Sequence, residues 1–443
     1  MLKKLTPVQT LLLGYIALIL VGALLLSLPF SSSKNQYTPF IDTLFTATSA
    51  VSTTGLGVVD TGTHFSLTGQ IIILVLFQIG GLGYMIFIAL ISLGVGSRFS
   101  ISSRKLLTES MARPTSIEIK KFVKAVIFFT FAFELFGAIV LTVIFLQKMP
   151  VVDAVYSAVF HSVSGFCTAG FSLYSDSFTA YSFDMLANVV IAIITIAGGI
   201  GFFVLYDVAK YFSNIFKRRN PFKLTVHSKL VLTVSFFLMT IGTIVIFFLE
   251  AANTTTSLAD RLLTASFQAL SASTTTGFNT IDIGKMYQLS LVVIILLMFI
   301  GASPGSTGGG IKTSTFGIIV LFIKKVITNR QEVHVFRRSI DDTTVNKALG
   351  ITLIGVFYMV FVVVILSLTE KFSLLQIIFE ATSALGTVGL SMGITSQLTF
   401  IGKALIILTM LIGRVGPLAI GYSLIGKVKT QNFSYPSGNV MTG

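Results

Sequence analysis

Residues 45–57 read FTATSAVSTTGLG, and the arrangement recurs at 160–172, 267–279 and 379–391 as FHSVSGFCTAGFS, FQALSASTTTGFN and FEATSALGTVGLS. Each segment places a Phe ten positions, a Ser six positions and a Thr two positions before a Gly. These glycines are Gly55, Gly170, Gly277 and Gly389, and they are spaced by 115, 107 and 112 positions. Four fixed positions that recur four times predict a chain built from four copies of one structural unit.

The composition places this chain in a membrane. Hydrophobic residues make up 53% of the sequence and charged residues only 11%, whereas soluble proteins carry about 25% charged residues. This excludes a soluble enzyme, a nucleic-acid-binding module and a disordered regulator. The histidines are scattered without the spaced partners of a metal site or catalytic dyad, so no enzymatic activity is expected. The single cysteine, Cys167, excludes an intrachain disulfide.

Apolar runs of the length that a membrane span needs, about 20 residues, occur eight times. They cover 8–28, 66–93, 122–147, 185–209, 230–249, 287–323, 348–368 and 401–426, and only the sixth is interrupted. One Thr-x-Gly segment lies between the two spans of each pair. The sequence therefore predicts four repeats, each a span, a pore loop and a span, at 8–93, 122–212, 227–325 and 346–427.

The basic residues indicate the orientation of these spans. Six lysines and arginines fall in each of the linkers that follow the second, fourth and sixth spans, and the connections on the opposite side hold five in all. Because cytoplasmic loops are rich in Lys and Arg, both termini are predicted to be cytoplasmic. The net charge of +14 is then a consequence of topology and does not indicate nucleic-acid binding.

The segment before each Thr-x-Gly is apolar but too short to cross a bilayer. Irregular backbone at membrane depth is tolerated where it is buried in protein or lines a water-filled cavity. Four half-helices around a pseudo-fourfold axis would direct their negative C-terminal ends toward one point and favour a cation there. Rings of backbone carbonyls replace the hydration shell of potassium. The alternative, four tight external turns, does not explain the matching Ser and Thr.

We therefore predict an all-α integral membrane protein with eight spans and four half-helices around a central pore. We predict that the backbone carbonyls of three residues in each repeat form its K+ selectivity filter. These residues are Thr53, Thr54, Gly55, Thr168, Ala169, Gly170, Thr275, Thr276, Gly277, Thr387, Val388 and Gly389.

Glycine clusters follow each filter segment and predict close helix packing in the first two repeats. In the third repeat, GASPGSTGGGIKTST at 301–315 cannot form a regular helix, and it is predicted to close the pathway below the filter. It resembles a phosphate-binding loop but lacks the Gly-Lys adjacency and the sheet context of one. The predicted gate residues in this loop are Gly301, Pro304, Gly305, Ser306, Thr307, Gly308, Gly309, Gly310 and Lys312.

Arg414 replaces the second glycine of the cluster in the fourth repeat. An arginine inside a membrane is costly and is a functional hypothesis by default. We predict that it belongs to the gate, where its charge would repel K+ or pair with the loop. The alternative is an arginine that extends to the inner interface.

The four single-glycine loops resemble those of the Trk/Ktr/HKT superfamily of potassium transporters, over roughly residues 8–427, and the chain is most similar to bacterial Ktr-type membrane subunits. The resemblance implies that Gly55, Gly170, Gly277 and Gly389 determine selectivity. It also implies a gating loop at 301–315 that works with Arg414. Sodium-preferring members of the superfamily carry Ser at the first of these glycines, so Gly55 favours potassium.

The resemblance further implies a homodimer in a bacterial cell membrane. It implies a cytoplasmic ring of nucleotide-binding, RCK-type regulatory subunits that contacts the basic linkers and binds ATP or ADP, with no cofactor bound by this chain. We expect channel-like inward conduction of K+, and whether Na+ enters or co-activates stays open. The alternative is an alternating-access symporter coupled to Na+ or H+, which predicts more ionisable groups at the membrane midplane than Glu134 and Arg414.

Overall fold

The computed structural model describes residues 7–83, 119–216, 223–250 and 257–416. The predicted ends of the first and fourth repeats, 84–93 and 417–427, lie outside the described residues. So do both chain termini, nearly all of the basic linker that follows the second predicted span, and residues 217–222 of the linker that follows the fourth.

Helices form nearly all the regular structure in these ranges. They are α1 (Pro7–Ser27), α2 (Phe40–Val51), α3 (Thr61–His64), α4 (Leu67–Leu82), α5 (Ile119–Phe145), α6 (Val151–Phe166), α7 (Met185–Gly199), α8 (Phe202–Phe216), α9 (Val226–Leu249), α10 (Leu258–Ser273), α11 (Gln288–Phe299), α12 (Thr313–Ile327), α13 (Asp342–Thr369), α14 (Leu374–Gly386) and α15 (Phe400–Val415). A short antiparallel hairpin, β1 (His334–Val335) with β2 (Arg338–Ser339), precedes α13.

Four of the described helices, α1, α5, α9 and α13, are each long and apolar enough to cross a membrane. Large apolar side chains on these helices face outward. Phe128 of α5 is 68% exposed and Phe357 of α13 is 72% exposed. Such a surface is unfavourable in water and suits hydrocarbon. The chain is an all-α integral membrane protein that crosses the membrane several times.

In the described residues, the second helix of each predicted repeat ends or breaks near a glycine with positive φ. Helices α7 and α8 meet at an angle of 106°, where Gly201 has φ +95°. The apolar run at 185–209, for which no interruption was expected, is therefore broken into two helices. Helices α4 and α15 end just before Gly83 and Gly416, with φ +78° and +97°, and Gly305 (φ +68°) lies in the interruption after α11.

Four short helices, α2, α6, α10 and α14, end immediately before the four Thr-x-Gly segments. They have 12 to 16 residues, fewer than the roughly 20 that a span needs. Two of them start with serine caps, at Ser257 and Ser373, whose side chains accept backbone N–H groups. The Phe of each motif lies on these helices and is buried in the core; these residues are Phe45, Phe160, Phe267 and Phe379.

Glycines in the second helices let them pack against the ends of the short helices. A Cβ on Gly80 would overlap the carbonyl oxygen of Val51. Gly198 and Gly413 face the equivalent carbonyl oxygens at the ends of α6 and α14 in the same way. The predicted packing role of the clusters in the first two repeats is confirmed for Gly80 and Gly198. Since each glycine touches backbone, any side chain there would push the two helices apart.

Candidate functional site

The four short helices end in the same hydrogen-bonded turn. At the end of α2, the N–H of Thr53 donates to the carbonyl of Ala50 (3.0 Å) and the N–H of Thr54 donates to that of Ser49 (2.8 Å). This pair of bonds is the Schellman motif. The corresponding two bonds are present after α6, α10 and α14.

Threonine occupies the left-handed position of all four turns. The φ angles of Thr53, Thr168, Thr275 and Thr387 are +54°, +48°, +56° and +50°. Glycine is the usual residue there, and a left-handed conformation costs an L-residue about 1–2 kcal/mol. Because the same unfavourable residue recurs four times, the threonine side chain is expected to make contacts that glycine cannot.

The turns direct backbone carbonyls away from the helices that they end. In a trans peptide the C=O lies opposite the N–H. Since the N–H groups of Thr53 and Thr54 point back into α2, the carbonyl oxygens of Ser52 and Thr53 point away from it. The other three segments have the same pattern of bonds, so each presents carbonyl oxygens beyond its helix end.

The four motif glycines form a closed ring in chain order. A Cβ on Gly55 would lie 3.0 Å from the Cα of Gly170, and one on Gly170 would lie 3.4 Å from the Cα of Gly277. From Gly277 to Gly389 the corresponding distance is 3.1 Å, and from Gly389 back to Gly55 it is 3.0 Å. Each glycine also faces a carbonyl oxygen of the next segment. These oxygens belong to Ala169, Thr276, Val388 and Thr54.

Three of the four motif serines form hydrogen bonds with the backbone at or directly after the ring glycine. The hydroxyls of Ser164 and Ser271 donate to the carbonyls of Phe171 (2.8 Å) and Phe278 (2.6 Å), directly after the ring glycines. Ser383 accepts the N–H of Gly389 at 3.0 Å. These bonds account for the serine six positions before the glycine in the second, third and fourth repeats.

A cavity of about 360 Å³ opens onto the glycine side of the ring and is lined by all four glycines. Asp60 and Asp176 also line it. Burial alone would raise the pKa of Asp60, but hydrogen bonds from Thr63 and Ser175 outweigh it and hold the pKa below its ordinary value of 3.8. Asp60 is therefore ionised near neutral pH, and a carboxylate in this cavity attracts cations.

Thr307, in the segment between α11 and α12, lies against the opposite, threonine side of the ring. Its carbonyl oxygen lies 2.9 Å from the hydroxyl of Thr53, which donates to it. Its own hydroxyl lies 3.0 Å from that of Thr168 and 3.2 Å from the carbonyl oxygen of Phe166. Through its backbone carbonyl and its side chain, Thr307 thus contacts two of the four walls of the ring, where each wall is one Thr-x-Gly segment.

The next two residues of this segment contact the remaining walls. The N–H of Gly309 donates to the hydroxyl of Thr387 at 2.8 Å. Gly308 faces the hydroxyl of Thr275, which a Cβ at this position would overlap. All four ring threonines therefore face the segment at 300–312, which lies directly below the ring.

The same segment pairs with the break between α7 and α8. The N–H groups of Ser303 and Thr307 donate to the carbonyls of Gly199 (3.0 Å) and Gly198 (3.2 Å), and the N–H of Phe202 donates to the carbonyl of Gly305 (3.0 Å). Backbone groups at membrane depth need such partners, so the two irregular stretches stabilise each other.

Arg414, at the end of α15, donates hydrogen bonds to three parts of the molecule. Its Nη1 donates to the hydroxyl of Thr53 (3.0 Å) and to the carbonyl of Thr307. Its Nη2 donates to the carbonyls of Gly80 and Gly81, the latter at 3.1 Å. The guanidinium thus connects the first Thr-x-Gly segment, the segment below it and the end of α4.

The other predicted gate residues lie within the segment itself. Lys312 donates from Nζ to the carbonyls of Gly308 (2.7 Å) and Gly309 (3.1 Å). Gly301 packs against Gly310, and Pro304 places its carbonyl against Gly201. Ser306 donates its N–H to the carbonyl of Ser303 at 3.2 Å.

Two further polar contacts join residues whose partners the sequence did not identify. Lys403 of α15 forms an ion pair of 2.7 Å with Asp42 of α2, and the two side chains are only 15% and 16% exposed. Glu134 of α5 accepts a hydrogen bond of 2.9 Å from Gln78, whose Oε1 lies 3.2 Å from the Sγ of Cys167 next to the ring. Each partner comes from a distant part of the sequence.

Long apolar helices around a carbonyl ring that is open on one side and covered on the other define a membrane transport protein. A family model described as "TrkH: Cation transport protein" matches residues 13–429. The chain belongs to this family, and it is a transporter and not an enzyme.

Individual relatives match over nearly their whole length. The chain is 40% identical to "Ktr system potassium uptake protein B" of Bacillus subtilis, covering 99% of this chain and 97% of that protein. It is 36% identical to "Potassium/sodium uptake protein NtpJ" of Enterococcus hirae, covering 100% and 98%. The crystal structure of the potassium transporter TrkH from Vibrio parahaemolyticus shares the fold, with a TM-score of 0.73 at 20% identity over 96% of this chain and 86% of that one.

Proposed function

We propose that this chain is the ion-translocating subunit of a potassium uptake system, and that it conducts dehydrated K+ inward through a filter of four single-glycine loops. The closed ring of Gly55, Gly170, Gly277 and Gly389 carries this proposal, because carbonyl oxygens arranged around an axis replace the water around K+. The ionised Asp60 in the adjoining cavity would raise the local concentration of cations. Relatives named as potassium uptake proteins support K+ as the ion.

The segment at 300–312 is the proposed gate, and Arg414 holds it closed. Support comes from its contacts with all four ring threonines and from the guanidinium bonds to Thr307 and Thr53. An ion that leaves the ring on this side would meet the segment and a fixed positive charge. Opening then requires the segment to move away from the threonines.

The wider assembly is proposed from the resemblance. Four repeats around a pseudo-fourfold axis, cytoplasmic termini and a homodimer would place the basic linkers beside a nucleotide-binding regulatory ring, on which ATP or ADP would act. The relatives named as parts of a Ktr system support a partner subunit. The name of the Enterococcus relative, a potassium/sodium uptake protein, favours a role for Na+ as well.

Rubidium uptake into liposomes tests the filter proposal, with purified wild-type protein and the variant Gly277→Ser. Gly277 has φ +84°, and a Cβ there would overlap the carbonyl oxygen of Val388. We expect wild-type uptake to be inhibited by K+ far better than by Na+, and Gly277→Ser to lose this preference.

Gly350→Ser is the matched control, since a Cβ on Gly350 in α13 meets nothing within 4 Å. Unchanged ion preference in Gly277→Ser would contradict the filter. Uptake that stops without a Na+ or proton gradient, at constant membrane potential, would instead indicate a coupled symporter.

A further inference from the structure

One polar position connects three of the four short helices to the chain that leaves the ring. It lies nine residues before each ring glycine and is occupied by Thr46, His161, Gln268 and Glu380. All four side chains are buried. The residue type differs in every repeat, although the surrounding Phe, Ser, Thr and Gly are constant.

Glu380 holds the fourth segment by two hydrogen bonds. Its Oε2 accepts from the hydroxyl of Ser391 at 2.7 Å, and its Oε1 accepts from the hydroxyl of Thr395 at 2.5 Å. These partners lie two and six residues after Gly389. The carboxyl group therefore connects α14 to two points in the chain that follows Gly389.

His161 does the same for the second segment. Its Nδ1 lies 2.7 Å from the carbonyl of Ser157, which can only accept, so Nδ1 carries the proton. The Nε2 atom of this neutral ring is then an acceptor for the hydroxyl of Ser172 (3.0 Å) and the N–H of Leu173 (3.2 Å). The ring also stacks on Tyr174, with centroids 4.7 Å apart.

Gln268 makes the corresponding contact in the third segment. Its Nε2 donates to the hydroxyl of Thr280 at 3.2 Å, three residues after Gly277. Three chemically different side chains thus make the same connection between a short helix and the chain that follows its ring glycine.

The first segment has no such connection among its described contacts. The hydroxyl of Thr46 donates at 2.9 Å to the carbonyl of Asp42 in its own helix, and Gly57 and Val58 offer no polar side chain. The motif serine of this repeat, Ser49, is buried without a hydrogen-bond partner in the described structure. Among the described contacts, the chain that leaves the ring in the first repeat therefore lacks the connection that the other three have.

We propose that His161, Gln268 and Glu380 are positioning residues that fix three walls of the filter, so that ion discrimination depends on them. This inference rests on the proposed function. Carbonyl oxygens that are held in place cannot close around a cation smaller than K+, whereas released ones can. Loss of one connection should therefore favour Na+ relative to K+.

The test measures inhibition of rubidium uptake by K+ and by Na+ in liposomes, and takes the ratio of the two inhibition constants. This ratio does not depend on the amount of folded protein. We expect Glu380→Leu to reduce the preference for K+ by about tenfold. This is the size of effect expected when a buried polar group loses its hydrogen-bond partner. Glu380→Gln keeps an acceptor and a similar shape, so it should stay within about twofold of wild type.

Thr46→Val is the matched control at the equivalent position, and its ratio should equal that of the wild type. If Glu380→Leu yields no protein, the pair Ser391→Ala and Thr395→Val removes the same bonds from the other side and should lower the ratio. A wild-type ratio in either of these variants overturns the inference. Wild-type protein that takes up no rubidium would overturn the proposed function instead.

Discussion

Arg414 and Thr53, 361 positions apart in the chain, are joined by a hydrogen bond of 3.0 Å from the guanidinium Nη1 to the threonine hydroxyl. The same nitrogen also donates to the carbonyl of Thr307. One side chain therefore connects the last helix of the described chain to the first wall of the ring and to the segment beneath it. Movement of that segment has to break these bonds.

Replacement of Arg414 should release the proposed gate. In Arg414→Ala, the carbonyls of Thr307, Gly80 and Gly81 lose their common donor. Hydrogen bonds to charged groups contribute about 1.5–3 kcal/mol, so we expect rubidium uptake per folded molecule to rise about tenfold or more. Arg414→Lys, which cannot form the planar fork, should give an intermediate rate. Uptake equal to that of wild type in Arg414→Ala would exclude a role in closure.

The hydroxyl of Thr307 allows a milder test of the same segment. Thr307→Val keeps the shape of the side chain but removes the contacts with Thr168 and with the carbonyl of Phe166. We expect a rise in uptake of about fivefold, for the loss of roughly 1 kcal/mol. Ser306→Ala is the comparison, because the hydroxyl of Ser306 is buried without a partner among the described residues. An equal effect in both variants would argue against the specific contacts of Thr307.

The left-handed turn at Thr275 predicts that a glycine variant is more stable than an alanine variant. This residue has φ +56°, and its hydroxyl has no hydrogen-bond partner in the described ranges. Glycine adopts this conformation without the cost that alanine bears, so Thr275→Gly should be about 1 kcal/mol more stable than Thr275→Ala. Thermal unfolding in detergent measures the difference. A lower Tm for the glycine variant would show that the turn is not strained.

The ion pair between Lys403 and Asp42 joins the last described helix to the first short helix. Lys403→Met leaves the Asp42 carboxylate without its partner in a largely buried place, and we expect a loss of about 3 kcal/mol. The double variant Lys403→Met with Asp42→Leu should recover most of it, since it buries no lone charge. A double-mutant cycle compares the unfolding free energies of the wild type, the single variants Lys403→Met and Asp42→Leu, and the double variant. Additive losses would show that the two residues do not interact.

Acid should destabilise the short helix α3 at His64. Burial lowers the pKa of His64 below its ordinary value of 6.5, and the attraction of Asp42 does not outweigh this. The unfolded chain therefore binds a proton at a pH where the folded chain does not, so stability falls as the pH drops below about 6.5. His64→Gln should reduce the fall in Tm between about pH 7.5 and 5.5. An identical fall in wild type and variant would place the effect elsewhere.

The Thr-x-Gly motif allowed much of this site to be predicted. Its glycine marks a backbone position that needs positive φ, and the apolar stretch before it is long enough for a half-helix only. Both properties are local, so they could be read from residues such as Gly55 and Gly277. The proline and glycines at 301–310 likewise predicted where the third repeat is interrupted.

Other features of the site depend on information that apolar periodicity does not contain. Hydropathy stays high across residues 185–209, although the backbone turns at Gly201, because an apolar run gives no information on φ. The pairing of Lys403 with Asp42 joins residues 361 positions apart, and no pattern relates them. The polar position of His161, Gln268 and Glu380 could have been found by comparing the four repeats at every column.

A ring whose four walls come from one polypeptide differs from a pore of four identical chains. In a homotetramer, a substitution in the filter appears four times and changes every side of the pore together. Here a change at Gly55 or Glu380 alters one quarter of the circumference and leaves three quarters intact. If the ring acts as the proposed filter, ion preference can therefore be adjusted in small steps, one wall at a time.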